Sequence, residues 1–223
     1  EKTYAEVTNG IKIERGYTSP LFITDQRKDE CILEDVKILV CDQEINNILQ
    51  IESILKPIIN GGEKLLIIGE CSNNVINTLS ANVMRNGLKL CNIPVPSFGY
   101  RTHELMQDIA LAVGAKYFSE KTGDDLSLIT EADLGYANKI RVNKDSTVIL
   151  RDEEISSEII KRVEELREQQ ELLTLPAEKD FVNERIASLA GGIGCIYVGG
   201  NSDIEQKEKF DRVDDSVCAV RSA

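Results

Sequence analysis

The chain has 223 residues, with 26 Lys and Arg against 38 Asp and Glu and a formal net charge of −12. That balance argues against a nucleic-acid partner, whose binding rests on cations neutralising phosphates, and against an anionic membrane surface. Hydrophobic residues make up 42% but aromatics only 5%, with no Trp, so the core must be built from aliphatic side chains.

In chain order, residues 1–15 alternate loosely and predict a strand, with Gly10 as a break. The apolar runs 36–41 and 65–68 predict two more, and the second, after Gly61-Gly62, suits a strand buried on both faces. Between them, 44–60 places Ile45, Ile48, Ile51, Leu55 and Ile58 at helical spacing. Pro57 is expected to kink this helix or end it early. Residues 73–86 form a second helix candidate with Val75, Ile76, Leu79 and Val83 on one side, and 88–93 the next strand. The order strand, helix, strand, helix, strand predicts an α/β fold, a parallel sheet with helices on its faces. A rigid loop at 94–99 leads to a third helix at 101–113, a short strand or turn at Tyr117-Phe118, and strands at 139–144 and 147–150. The charged segments 152–174 and 178–190 read as two amphipathic helices in a hairpin, stopped by Gly191 or Gly192. A short β run at 196–198 and a charged helix close the chain.

The six cysteines, at 31, 41, 71, 91, 195 and 218, form no C-x-x-C pair, so metal ligation is not expected. They suit a reducing, intracellular setting, and a cytoplasmic location is expected. No apolar run approaches the roughly 20 residues that span a bilayer. The start at Glu1 is no signal peptide, and with the abrupt end at Ala223 it reads as an excised segment. Gly191-Gly-Ile-Gly and Gly199-Gly200 do not read as phosphate loops. A dinucleotide loop leads from a strand into a helix N-terminus, whereas these glycines follow a helix and enter a strand. The only histidine, His103, reads as a surface residue and not as a catalytic base. Asp214-Asp215 suits either an acid–base pair or a solvated helix face. The segment 15–23 presents Tyr17, Leu21 and Phe22 around a glycine turn, either as ordinary core or as an exposed apolar patch of the kind that marks a binding surface.

These residues also carry a family resemblance. Arg15-Gly-Tyr-x-Ser-Pro-x-Phe-Ile, Leu65-Leu-Ile-Ile-x-Glu70, Asn82-x-Met-Arg85, Pro96-x-Phe-Gly99, Gln107-Asp-Ile-Ala110, Asp133-Leu-Gly135 and Asn143-Lys-Asp145 are collinear with the group I chaperonin (GroEL) family. The ending, Glu184-Arg-x-Ala-x-Leu-Ala-Gly-Gly192 through Arg212-Val-x-Asp215, resembles it most. The resemblance implies a GroEL-like apical domain at 9–193 in an α/β fold, with partial arms of an α+β intermediate domain at 1–8 and 194–223. It implies binding of non-native polypeptides, and of a GroES-type co-chaperonin, in a groove between helices 44–60 and 73–86. The matching positions are Tyr17, Leu21, Phe22, Glu52, Leu55, Ile76, Ser80 and Ala81. Leu21 stands where the family is aromatic, and Glu52, Ser80 and Ala81 where it is larger and apolar, so a more polar, shallower groove is expected.

The same resemblance makes Gly10 and Gly192 a two-strand hinge and Asp215 the aspartate that orients water on ATP. ATP and Mg would bind only in the parent protein, in an equatorial domain absent here, and this segment itself would need no cofactor. Arg15 and Asp203 match an ion pair between subunits of a homo-oligomeric ring, expected to be unpaired in a lone segment. Two rival readings stay open. One is a divergent, scaffold-like paralogue with weakened client binding. The other is a free-standing α/β enzyme using Asp214 or Asp215.

Overall fold

A computed structural model describes residues 4–96, 99–197 and 219–220 and resolves the chain into two compact units. One comprises Ile13–Ile149; the other comprises Glu1–Lys12 with Leu150–Ala223. The chain passes between them along β1 (Tyr4–Ile13) and β7 (Thr147–Arg151). These seams differ from the 8/9 and 193/194 boundaries that the family resemblance implies.

The Ile13–Ile149 unit is α/β. Its strands are β2 (Cys31–Cys41), β3 (Lys64–Ile68), β4 (Lys89–Ile93), β5 (Tyr117–Phe118), β6 (Gly135–Val142) and the start of β7. They run in the order β4-β3-β2-β6-β7, with β5 beside the end of β2. The expected parallel core is present: β3 lies parallel to both β2 and β4, and β5 is parallel to β2. The sheet is nonetheless mixed, because β6 runs antiparallel to β2. Leu65–Ile68 of β3 are fully buried, as a strand covered on both faces demands. An Arg141–Glu30 ion pair at 3.2 Å, with both side chains under a tenth exposed, sits where β6 meets the start of β2.

Three helices connect these strands: α1 (Glu52–Gly61), α2 (Asn73–Asn86) and α3 (Tyr100–Val113). The helix expected over 44–60 is shorter. Asn47 caps a 3₁₀ turn at Ile48–Ile51, its side chain accepting from the Leu49 N–H at 2.9 Å while Gln50 reaches back to the Asn47 N–H at 3.0 Å. Asparagine satisfies orphan N–H groups in this way, which delays the α-helix to Glu52. Pro57 does not end α1, which runs four residues past it to Gly61. An interior proline costs about 3 kcal/mol. Burial of Ile54, Leu55 and Ile58 contributes about 1.5–3 kcal/mol each and outweighs it.

In the second unit β1 pairs antiparallel with β8 (Ile193–Tyr197), which pairs with β9 (Ala219–Val220). The expected break at Gly10 does not occur; β1 continues through it to Ile13. The helical hairpin is present as α4 (Ser157–Leu172) and α5 (Pro176–Ala190). Ser156 caps α4 by accepting from the Ile159 N–H at 3.2 Å, and α4 buries Ile159, Val163 and Leu166 at the expected helical spacing. Pro176 occupies the first turn of α5, where its missing N–H is harmless. No described helix is long and apolar enough to cross a membrane.

One buried amide ties the strand ends to the loop before them. Asn92, fully buried in β4, donates to the carbonyls of Ile67 at 3.0 Å and Gly69 at 3.1 Å, and its Oδ1 accepts from the Thr18 hydroxyl at 2.9 Å. Asn92→Ala would leave these groups buried without their partner. We expect a loss of about 2–4 kcal/mol in unfolding free energy, measured by urea denaturation. Asn74→Ala, at an exposed position of α2, serves as the control and stays within about 0.5 kcal/mol.

Candidate functional site

The segment carrying Tyr17, Leu21 and Phe22 is anchored before it forms any surface. The Tyr17 N–H donates to the Asn143 carbonyl at 3.2 Å, and the Thr18 N–H to the Asn92 carbonyl at 3.0 Å. Ser19 accepts from the Leu21 N–H at 3.2 Å and starts a 3₁₀ turn at Pro20–Phe22, which lies against α2 and β4. Phe22 is fully buried, so the two readings of this segment divide: Phe22 is core, Tyr17 is half-buried, and of the three Leu21, 45% exposed, faces water. A turn this tight points consecutive side chains apart, and the larger one is taken inward.

The helix positions divide in the same way. Glu52 opens α1 and pairs with Lys56 at 2.8 Å one turn on, an exposed contact of small value. Leu55 is only 6% exposed and Ser80 only 3%, with the Ser80 hydroxyl donating back to the Asn77 carbonyl at 3.2 Å. Ile76 and Ala81 are half-buried. The exposed apolar groups on these helices are Ile59, at 50%, and Met84, at 65%. Sequence reasoning missed both, although the signal was there. Ile59 is four residues past Leu55, and Met84 four past Ser80 and eight past Ile76, so both continue the nominated stripes toward the helix C-termini.

At those C-termini a cleft of about 160 Å³ opens, walled by Ile58 and Ile59 of α1, by Asn82 and Asn86 of α2, and by Leu88 and Lys89. The amides form a ladder: Asn82 donates to the Thr78 carbonyl and Asn86 to the Asn82 Oδ1, each at 2.8 Å. None of the eight nominated residues lines this cleft.

Gly10 and Gly192, which the resemblance makes a hinge, are brought near each other. The β1–β8 ladder ends with Thr8 opposite Ile193, and Gly10 and Gly192 lie just beyond that pair. Gly192 has φ of 66°, and a Cβ there would fall 2.8 Å from the Val7 side chain, so both the backbone and the close strand demand glycine. Gly10 lies within regular strand. Arg15, expected to be unpaired, donates from Nε to the Val95 carbonyl at 3.2 Å. Asp203, Asp214 and Asp215 lie outside the described residues, as does the closing charged helix.

His103 is half-buried in a chain of hydrogen bonds, not a free surface residue. Gln107 lies 3.1 Å from its Nε2 and the Tyr117 hydroxyl 3.2 Å from its Nδ1; Tyr117 donates to Asp42 at 2.9 Å. Asp42 also accepts from the Ser119 hydroxyl at 2.7 Å and the Glu120 N–H at 2.9 Å. Because the Tyr117 proton is committed to Asp42, a neutral His103 donates from Nδ1 and accepts at Nε2. The members satisfy one another, which ties α3 to the ends of β2 and β5.

Burial first, and then the hydrogen bond to Asp42 and its charge, hold the Tyr117 hydroxyl above the ordinary phenol range. Burial likewise pushes the Cys71 thiol up to about 12 and raises the Cys41 and Cys91 thiols, so none of the three is an activated nucleophile. Among the described residues no group of three or more His, Cys, Asp or Glu is placed to hold a metal ion. No family model matches the chain.

The Tyr117 shift carries a pH dependence. A folded-state value above the unfolded one means that the native protein holds its proton longer, so stability falls as pH rises past the ordinary tyrosine value of about 10. Tyr117→Phe should flatten the fall in melting temperature between about pH 9.5 and 11. An unchanged slope in the variant contradicts the assignment.

Proposed function

We propose that the chain is a polypeptide-binding module of the group I chaperonin kind, the apical part of a ring that works with ATP and a co-chaperonin. The observation that carries the reading is the exposure of Leu21, Ile59 and Met84 on α1, α2 and the turn packed against α2. Large apolar side chains left in water on two amphipathic helices suit a surface that recognises unfolded chains by their apolar content. Burial is worth about 25 cal/mol per Å² and needs no sequence readout. The mixed sheet with flanking helices is of the α/β class that the resemblance implies, while the helical hairpin falls in the unit that holds most of β1 and not in the sheet unit. In this reading the ATP-orienting role of Asp215, the Arg15–Asp203 contact between subunits and the Gly10/Gly192 hinge belong to the parent ring, in the cytoplasm.

The burial of Phe22, Leu55 and Ser80 favours a second reading, a scaffold-like paralogue with weakened client capture. The two are separated at the exposed positions. Leu55→Glu is a poor probe, because a charge at a 6%-exposed site unfolds the helix instead of testing the surface. Ile59→Glu combined with Met84→Glu keeps the fold, shifting the melting temperature by about 3 °C or less. It should reduce suppression of aggregation of an acid-denatured model protein by about fivefold or more. A wild-type chain that suppresses no aggregation sinks the client-binding reading and leaves the scaffold one.

A further inference from the structure

Leu49 is 63% exposed in the 3₁₀ turn Ile48–Ile51, and Leu128 is 73% exposed in a second 3₁₀ turn, Leu126–Leu128. The two turns pack against each other, and beside them the Ser53 hydroxyl donates to the Ile129 carbonyl at 2.8 Å. Ile51, Leu126 and Ile129 are buried at this contact, which leaves Leu49 and Leu128 in water on its outer side. Both turns are capped, the first by Asn47 and the second by Asp125, which accepts from the Ser127 N–H at 3.0 Å and the Ser127 hydroxyl at 2.7 Å. The patch is therefore held in shape before anything covers it. Carboxylates frame it. Glu52 stands three residues after Leu49, and Asp125 and Glu131 three before and three after Leu128. The side chains of Glu52 and Glu131 are 46% and 45% exposed, and Asp125 is exposed. Segments 42–53 and 120–131 carry three and four acidic residues against a single base, Lys121. Lys56 pairs with Glu52 at 2.8 Å, while Lys37 lies 3.8 Å from Glu131 but closer, at 2.9 Å, to Glu63. The Ser127 hydroxyl and N–H hold the Asp125 carboxyl below its ordinary range, so this part of the rim stays charged at neutral pH.

We propose that the Leu49–Leu128 patch docks a basic, apolar segment of a partner protein. Apolar side chains of that segment cover the two leucines, and Lys or Arg beside them meet Asp125, Glu131 and Glu52. An apolar centre inside a charged rim is the usual anatomy of a protein interface, and the sign of the rim selects the occupant. An acidic rim repels nucleic acid and anionic lipid, and it disfavours a second copy of this chain, whose net charge is −12. The patch is distinct from the surface of Ile59 and Met84, because Leu49 precedes the first turn of α1 whereas Ile59 lies in its last. The proposal therefore does not depend on the client-binding reading.

The test uses three labelled dodecapeptides with identical Leu positions and Lys, Ser or Asp between them, titrated against the full chain by fluorescence anisotropy at physiological salt. The expected order of affinity is Lys, then Ser, then Asp, with about a tenfold span between the ends. Leu49→Ser with Leu128→Ser, at exposed sites that the fold tolerates, should weaken the Lys peptide by about tenfold or more. Asp125→Asn with Glu131→Gln keeps the cap and the side-chain shapes, and should bring the Lys peptide down to the Ser peptide. Ile59→Ser with Met84→Ser should leave its affinity within about twofold. A wild-type chain that binds the Asp peptide as tightly as the Lys peptide overturns the proposal, as does binding that the leucine pair leaves unchanged. Loss in the Ile59 and Met84 pair instead assigns the peptide to the helix-end surface and also overturns it. Sedimentation velocity covers the remaining occupant: a wild-type dimer that the leucine pair converts to monomer makes the patch a self-contact and rejects the basic partner. Aggregation suppression that fails while the peptide order holds sinks client capture and leaves this docking surface standing.

Discussion

The structure of the Ile13–Ile149 unit depends on β2. This strand is hydrogen-bonded to β3 and β5 in parallel and to β6 antiparallel. In its second half Val36 and Ile38–Cys41 are fully buried and Lys37 is half-buried. A strand with that many partners, buried on both faces over Ile38–Cys41, does not tolerate a polar substitution there. The helices inherit their positions from it: α1 and α2 fall on the crossovers to β3 and β4, and α3 returns the chain to β5 beside β2. The surface that the two helices present is therefore a consequence of sheet order.

Polar groups set the details that aliphatic burial leaves open. Leucine and isoleucine fill a core without specifying one arrangement, whereas a buried amide or ion pair is satisfied in one geometry only. Asn92 fixes the 17–22 segment to the end of β4, and that is what turns Phe22 inward and leaves Leu21 in water. Arg141–Glu30 plays a matching part at the start of β2. Such a pair adds little net stability against an apolar replacement, and its value lies in penalising any alternative that separates the charges. The chain Gln107–His103–Tyr117–Asp42–Ser119 does the same for α3. A lone histidine beside no obvious partner in sequence thus becomes the centre of a satisfied network.

The candidate surface shows how packing sorts a set of residues that sequence treats alike. Glu52, Leu55, Ile76, Ser80 and Ala81 were nominated as one groove. The fold buries Leu55 and Ser80, half-buries Ile76 and Ala81, and leaves the apolar exposure one turn further along, at Ile59 and Met84. The cleft opens there because both helices end at glycine caps, Gly62 and Gly87, beside the first residues of β3 and β4.

Sequence by itself determined the α/β class, the order of strands and helices, and the hairpin of α4 and α5, because each rests on local periodicity and local capping. Period-two and period-3.6 apolar patterns survive in the chain whatever it packs against. It also determined that the core would be aliphatic, and it placed the stop of the second hairpin helix at Gly191 or Gly192. Only the tertiary structure decided that Pro57 would stay inside a helix, that Gly10 would not break β1, that β6 would add antiparallel to β2, and which residue of each apolar pair would face water. Those outcomes are set by contacts between residues far apart in the chain, where a few kcal/mol of burial outweighs a local preference. The meeting of the turns that carry Leu49 and Leu128 is of the same kind: far apart in sequence, they lie together only because Ile51, Leu126 and Ile129 are buried where the turns pack.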